Sequence, residues 1–189
     1  MTWDLARMLA STVSQRLMLP KVAIRSGRSG LICHPDESVV CQWLQKRLLR
    51  SEAGICQLTG LIVDKTYLNP NRELKPLRKM LDGTLGETAS EIELSLITQF
   101  VPDTVGKVQQ ARIIRSPSGA AIAISVETRR GFILSSIQYL GLVLLHDEKR
   151  RRVLGKIAVG KWSPSYGWIQ ESQILPIPRA KQDPEVSGH

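Results

Sequence analysis

Cysteine and histidine are scarce in this chain of 189 residues, which has three of each. The three cysteines, Cys33, Cys41 and Cys56, lie in its first third, and an odd number cannot pair completely. We therefore expect no disulfide framework. Reduced thiols are typical of a cytoplasmic, reducing compartment, and a nuclear or organellar location remains open.

The same scarcity argues against metal binding and catalysis. A structural zinc site needs four ligands in closely spaced pairs, whereas Cys33 and His34 are adjacent and no downstream pair exists. A cysteine nucleophile would need His34 or His146 as its base, and no pattern brings a cysteine close to His146. We expect no metal, no cofactor and no small-molecule substrate, with a cysteine-based activity as the enzymatic alternative. A glycine-rich phosphate loop is also absent.

Long hydrophobic runs are lacking as well. The longest apolar stretch, residues 132–145, contains polar residues and is too short to span a bilayer. Near the N-terminus, Arg7 and Arg16 interrupt the apolar residues that a secretory signal would need. With 42% hydrophobic and 23% charged residues, the chain can bury a core in water.

Positive charge is present in excess, with 26 Lys and Arg against 17 Asp and Glu and a net charge of +9. Residues 1–60 have eight basic and four acidic side chains, residues 61–100 have five and six, and residues 101–189 have thirteen and seven. The excess therefore lies in the first and last parts of the chain. Such a charge attracts polyanions, and a merely solubilising basic surface is the alternative.

Apolar spacings in the first hundred residues predict helices. We expect one helix from Thr2 or Asp4 to about Met18, where Pro20 ends it. Asp36 is a suitable N-cap for a second helix. The apolar face of that helix would be formed by Val40, Trp43, Leu44 and Leu48.

A third helix should follow a short strand over residues 58–63. Pro76 suits the first turn of this helix and Gly83 its end. Residues 88–100 fit either a helix, with a capping box from Thr88 to Glu91, or a half-buried strand, and we favour the helix. We find no convincing internal repeat.

From about residue 107 the sequence predicts strands with alternating burial, joined by short turns. We expect five of them, over residues 108–115, 120–127, 132–145, 153–159 and 167–175. The predicted fold is therefore α+β. A mainly helical N-terminal region (1–100) packs on a C-terminal antiparallel β-meander or small barrel of about five strands (101–175), and a flexible tail follows (176–189).

Two basic turns are candidate anion-binding sites, because clustered arginines can bind phosphates bidentately. One contains Arg129 and Arg130. The other is the densest run of positive charge in the chain, Lys149, Arg150, Arg151 and Arg152. If residues 132–145 form one strand, the two turns lie at opposite ends of the sheet, and if this segment folds in two they can lie together. A turn that merely protects hydrophobic strands is the alternative.

Aromatic residues make up only 5% of the chain, yet three of them stand close together near its end. They are Trp162, Tyr166 and Trp168, which follow Lys156 and Lys161. Alternation with Gln170 indicates that Trp168 lies on the wetter face of its strand. Aromatic and basic residues on a sheet are the elements of single-strand nucleic-acid binding, although such aromatics can instead fill a small barrel.

The sequence thus predicts a non-enzymatic polyanion-binding protein, with RNA or single-stranded nucleic acid as the expected partner. Phosphates would be held by the two basic turns and by Lys156 and Lys161, and bases would stack on the aromatic hairpin. The alternative is a structural or assembly protein of the viral matrix type, which docks on an anionic membrane and self-associates into a homo-oligomer.

Overall fold

The computed structural model describes residues 8–131, 136–147 and 151–176. The protein is mostly β, with 46% strand and 17% helix, so the predicted mainly helical N-terminal half is wrong. Short β-hairpins occupy that region instead. The predicted antiparallel meander is present, but it belongs to an open six-stranded sheet rather than a barrel. The predicted tail, from residue 177 onward, lies outside the described residues.

Four two-stranded hairpins form the N-terminal part. They are β1 (Leu9–Ala10) with β2 (Leu17–Met18), β3 (Ile24–Arg25) with β4 (Ile32–Cys33), β5 (Ser38–Cys41) with β6 (Lys46–Leu49), and β7 (Ala53–Ile55) with β8 (Ile62–Asp64). Short 3-10 turns follow the second, third and fourth hairpins, at Pro35–Glu37, Arg50–Glu52 and Lys65–Tyr67.

These hairpins repeat every 15 residues, so the expectation that the chain lacks a repeat is wrong. The first residue of each hairpin turn is small and buried. Its carbonyl accepts the main-chain N–H of the residue four positions later in the sequence, at 2.7–3.0 Å. That later residue has a φ of 54–73°. Glycine adopts this left-handed conformation at two of the turns and glutamine at the other two. The buried residues are Ser11, Ser26, Cys41 and Cys56.

Main-chain hydrogen bonds join each hairpin to the next. The N–H after the buried turn residue donates to a carbonyl in the second strand of the following hairpin, from Thr12 to Ile32, Gly27 to Arg47 and Gln42 to Ile62, at 2.8–2.9 Å. Because these hydrogen bonds fix the chain as hairpins, the two predicted N-terminal helices are wrong for residues 8–18 and 36–48, while residues 2–7 lie outside the described part of the chain. Trp43 lies in the turn of the third hairpin and Leu48 in the strand that follows, and both side chains are buried. Their spacing in the sequence matches that of a helix only by chance.

Six antiparallel strands form the central sheet, with neighbours in chain order. They are β9 (Glu87–Thr88), β10 (Lys107–Arg115), β11 (Ala121–Arg130), β12 (Ser136–Leu145), β13 (Val153–Ser163) and β14 (Gly167–Ile174). The five long ones confirm the predicted strands. The alternating burial expected for them is wrong for β11, in which residues 121–126 are all buried. The turn predicted at residues 116–119 is also present, closed by the Gly119 N–H donating to the Ser116 carbonyl at 2.8 Å.

The sheet has an apolar core on each face. One face, called here the hairpin face, includes Ala123, Val143 and Ala158 and packs on the hairpins and on helix α1 (Lys75–Leu81). The opposite face, called the α2 face, packs on helix α2 (Glu91–Thr98) and the residues after it. Its apolar residues include Ile122, Ile124, Leu140, Leu142 and Ile157. Burial on both faces explains why the strands read as nearly continuous apolar runs.

Both helices agree with sequence signals. Helix α1 has a proline in its first turn and ends before Gly83, whose φ is 75°. Residues 91–98 are helical, as favoured, although the capping box uses Ser90 and Glu93 rather than Thr88 and Glu91. Helix α1 lies against Gly141 of β12, where an added Cβ would be 3.0 Å from the Leu81 side chain.

Strand β12 is a single strand, which decides where the two basic turns lie. Arg130 pairs with Ser136 at one end of β12, and Leu145 pairs with Ala121 at the other. Arg129 and Arg130, which are the last residues of β11 rather than part of the predicted turn, therefore lie at one end of the sheet, and Arg151 and Arg152 lie at the other, about 30 Å away at the usual rise per residue. Because β13 and β14 continue the antiparallel order, their connecting turn lies at the same end as Arg130, called here the tip end.

Candidate nucleic-acid interface

Toward the tip end, part of the hairpin face is open to solvent. Ile137 and Trp162, on β12 and β13, are 44% and 47% exposed. Beside them lies a recess of about 200 Å³, with Met80 and Leu81 of α1 forming one side. Helix α1 ends here at Leu81, two residues before Gly83, so the sheet beyond it keeps an uncovered, partly aromatic surface.

Polar side chains from three adjacent strands line the recess. Gln110 donates from Nε2 to Glu127 Oε2 at 2.7 Å, and the Tyr139 hydroxyl also hydrogen-bonds to Glu127. Burial raises the pKa of Tyr139, and the charge of Glu127 together with this hydrogen bond raises it further. Tyr139 is thus held neutral as a donor, and Glu127 is an acceptor fixed from two sides.

Basic side chains lie around this surface. Lys107, Arg112 and Arg129 are exposed, and Lys107 pairs directly with Arg129 across β10 and β11. Alternation along β11 places Arg129 on the same face as Glu127, and it places Arg130 on the α2 face. Arg112 Nη1 donates to the Gly83 carbonyl at 3.0 Å, which orients its guanidinium beside the recess. Arg112 therefore borders the recess itself, whereas Lys107 and Arg129, at the tip end of β10 and β11, also line a separate recess with Thr98 and Val101 of the α2 side.

The aromatic hairpin divides into exposed and buried residues. Tyr166, in the β13–β14 turn, is 78% exposed and Trp162 is 47% exposed, whereas Trp168 is 1% exposed. The prediction that Trp168 lies on the wetter face of its strand is wrong. Its main-chain N–H donates to Asp82 Oδ1 at 3.1 Å, and the Arg78 guanidinium lies 5.6 Å from the centroid of its ring. Helix α1 covers Trp168, which excludes it from stacking on a base.

The two predicted lysines of β13 lie outside the recess. Lys161 precedes Trp162 and so faces the opposite side of the strand, where it pairs with Glu171 at 2.8 Å. Lys156 lies toward the other end of the sheet, and its N–H donates to the Thr59 carbonyl of the fourth hairpin. Neither residue contributes to the cations around the recess.

The second basic turn lies at the opposite end. Lys149 and Arg150 are outside the described residues, while Arg151 is half-buried and Arg152 is exposed. Both line a recess of about 900 Å³ that includes His146 and Gln45 of the third hairpin. The structure thus separates the predicted basic residues into two groups, with aromatic residues beside only the group at the tip end.

The cysteines and histidines show no catalytic arrangement within the described residues. All three cysteines are free and buried, and burial together with the nearby charge of Glu37 raises the pKa of the Cys33 thiol. His34 Nδ1 pairs with the Asp36 carboxylate, which lowers the pKa of Asp36. In the described segments, no cluster of three or more His, Cys, Asp or Glu has the geometry of a metal site.

Sequence reasoning missed the recess residues Gln110, Arg112, Glu127 and Tyr139. Gln110 and Glu127 are paired directly across β10 and β11, so they lie on one face of the sheet. However, the sequence does not show where α1 ends above the sheet, and that position decides which part of the face stays open.

Comparison with known proteins gives no relative. No family model, curated protein or solved structure matches this chain. Neither helix of the described segments has the length and apolar character needed to cross a membrane.

Proposed function

We propose that this protein binds single-stranded nucleic acid on the open part of its hairpin face at the tip end. The observation that carries the proposal is the exposure of Trp162 and Tyr166 beside the exposed cations Lys107, Arg112 and Arg129. Sequence-tolerant single-strand binding requires aromatic faces for the bases and cations for the backbone.

In this proposal, bases stack on Trp162 and Tyr166, and phosphates contact the cations on β10 and β11. Strand β11 is next to β12, and β10 follows β11. Strand β13, which contains Trp162, lies on the other side of β12. At a spacing of about 5 Å between strands, Arg129 and Lys107, which lie level with Trp162, are about 10 and 15 Å from it, and the Cα of Arg112, about four residues further along the sheet, is about 20 Å away. RNA and single-stranded DNA both fit this arrangement, and a reducing compartment such as the cytoplasm suits the three free thiols.

The proposal is tested by titrating a labelled single strand and following its fluorescence anisotropy at two salt concentrations. Trp162→Ala should weaken binding about tenfold or more, because stacking on one base contributes about 1–3 kcal/mol. Trp162→Phe keeps an aromatic face and should retain most of the affinity. The double variant Lys107→Ala with Arg129→Ala should lower the salt slope by about 1.4.

Two controls complete this experiment. Replacing Arg151 and Arg152 by alanine removes the same amount of charge at the opposite end and should leave the affinity within about twofold, apart from long-range attraction. Anionic vesicles should bind more weakly than the single strand at equal salt. Vesicle binding that exceeds strand binding and is unaffected by Trp162→Ala would replace this proposal with membrane docking.

A further inference from the structure

The recess beside Trp162 has a composition that differs from the rest of the open surface. Its polar lining combines one acidic side chain, Glu127, and one basic side chain, Arg112, with the neutral residues Gln110, Ser125 and Tyr139. A phosphate group would be repelled by Glu127. A nucleobase edge that offers N–H donors would be attracted to it, while the backbone phosphates contact Lys107 and Arg129 outside the recess.

The hydrogen-bonding capacity of Glu127 limits which base can fit. A carboxylate accepts only and has about four lone-pair positions. Gln110 Nε2 occupies one of them at 2.7 Å and the Tyr139 hydroxyl another, which leaves two for a ligand. The side chain is half-buried between these donors, so it is fixed in orientation before a ligand arrives.

Guanine is the common base with two adjacent donors on its Watson–Crick edge, N1–H and the N2 amino group. They match the two oxygens of a carboxylate as two parallel hydrogen bonds. Adenine and cytosine offer one amino group next to a ring acceptor, and uracil and thymine offer one N–H between two carbonyls. Both of these patterns would place an acceptor of the base against the Glu127 carboxylate, which is unfavourable.

Neighbouring residues suit the remainder of a guanine ring. Arg112 lines the recess and uses one of its five N–H donors on the Gly83 carbonyl, so its guanidinium can also donate to the O6 of the base. Trp162 supplies an aromatic face, and Met80 and Leu81 supply apolar contact on the side of α1.

We infer that the recess binds one guanine base of the strand, with Glu127 reading its N1–H and N2 amino donors. This inference rests on the proposed single-strand binding. It adds a base preference to a surface that would otherwise accept any sequence.

The test compares labelled thymidine 12-mers that are unsubstituted or have one central dG, dA or deoxyinosine. Deoxyinosine keeps N1–H and O6 and lacks the N2 amino group. We expect the dG strand to bind about tenfold more tightly than the unsubstituted one, and deoxyinosine to lose most of this gain. Glu127→Gln should reduce the ratio of dG affinity to unsubstituted-strand affinity from about tenfold to about one.

Glu171→Gln is the matched control, because it removes the same negative charge from an exposed position of strand β14 outside the recess. It should leave the preference for dG unchanged. Equal binding of all four strands would overturn the guanine inference and leave the proposed function intact. Failure of every strand to bind at low salt would overturn both. Urea unfolding of Glu127→Gln shows whether the variant is folded, and inosine discrimination by the wild type does not depend on any variant.

Discussion

Replacing Ser26 by alanine should destabilise the protein by about 2–4 kcal/mol. Ser26 is 3% exposed, and its Oγ donates to Glu52 Oε2 at 2.5 Å. The same oxygen accepts the N–H groups of Arg28 and Ser29 at 3.1 and 3.3 Å. The bond to the carboxylate contributes about 1.5–3 kcal/mol, and the two N–H groups add less because they lie in a turn where water can partly replace the oxygen.

Ser26→Ala should also change how the free energy of unfolding depends on pH. Burial raises the pKa of Glu52, but hydrogen bonds from Ser26, Ser29 and the Leu49 N–H outweigh it and hold the pKa below its usual 4.5. A carboxyl group whose pKa is lower in the folded state contributes stability above its unfolded pKa. This contribution disappears as the pH falls through the folded pKa. The wild type should therefore lose more stability than Ser26→Ala between about pH 5 and about pH 3.

Urea unfolding followed by tryptophan fluorescence measures both effects, because Trp43 is 1% exposed in the core beneath the hairpins. Ser51→Ala, at an exposed position, is the matched control and should change the unfolding free energy by less than about 0.5 kcal/mol. Ser26→Cys should cost less than Ser26→Ala, because the third and fourth hairpins already have cysteine at this position. A loss for Ser26→Ala no larger than that of Ser51→Ala would refute the structural role given to this hydrogen bond.

Two further predictions concern the sheet and the thiols. Gly160→Ala should lower the unfolding free energy by about 2 kcal/mol or more in thermal unfolding, because the added Cβ would lie 2.2 Å from the Ile169 carbonyl and 2.7 Å from the Trp168 ring. A variant as stable as the wild type would show that Trp168 does not pack on Gly160. The three buried thiols should react with iodoacetamide about tenfold or more slowly in the folded protein than in urea, as measured by mass spectrometry. Equal rates would contradict their burial.

The C-terminal strands could be predicted because their signal is local and long. Strands β10 to β14 have eight or more residues, enough for alternation and turn residues to be distinct. Helix α1 was predictable for the same reason, since Pro76 and Gly83 mark its first turn and its end. Strands β1 and β2 have two residues each, too few for any period to show.

The N-terminal repeat could not be recognised from residue identity alone. Its buried position is serine twice and cysteine twice, and its left-handed position is glycine twice and glutamine twice. What the four units share is a backbone conformation and a small buried side chain. Gly30 and Gly60 are 30 residues apart, which is twice the period, so their spacing alone does not reveal a repeat of 15.

The candidate interface was predictable only in part. Arg129, Trp162 and Tyr166 were identified from residue type, and the open strand ends bring them to the tip end of the sheet. Trp168 was assigned to the wrong environment because its burial depends on α1, which is distant in sequence and contacts it through Arg78 and Asp82. Tertiary packing, rather than any local pattern, decides which aromatic side chains are exposed.

Photocrosslinking tests the central claim most directly. A single strand with 4-thiouridine at each position in turn would be irradiated in complex with the wild-type protein, and the attached peptides would be identified by mass spectrometry. We expect crosslinks at Trp162, Tyr166 and Tyr139, on the open hairpin face at the tip end. Crosslinks confined to the segment 146–152, at the opposite end of the sheet, would contradict the proposed interface.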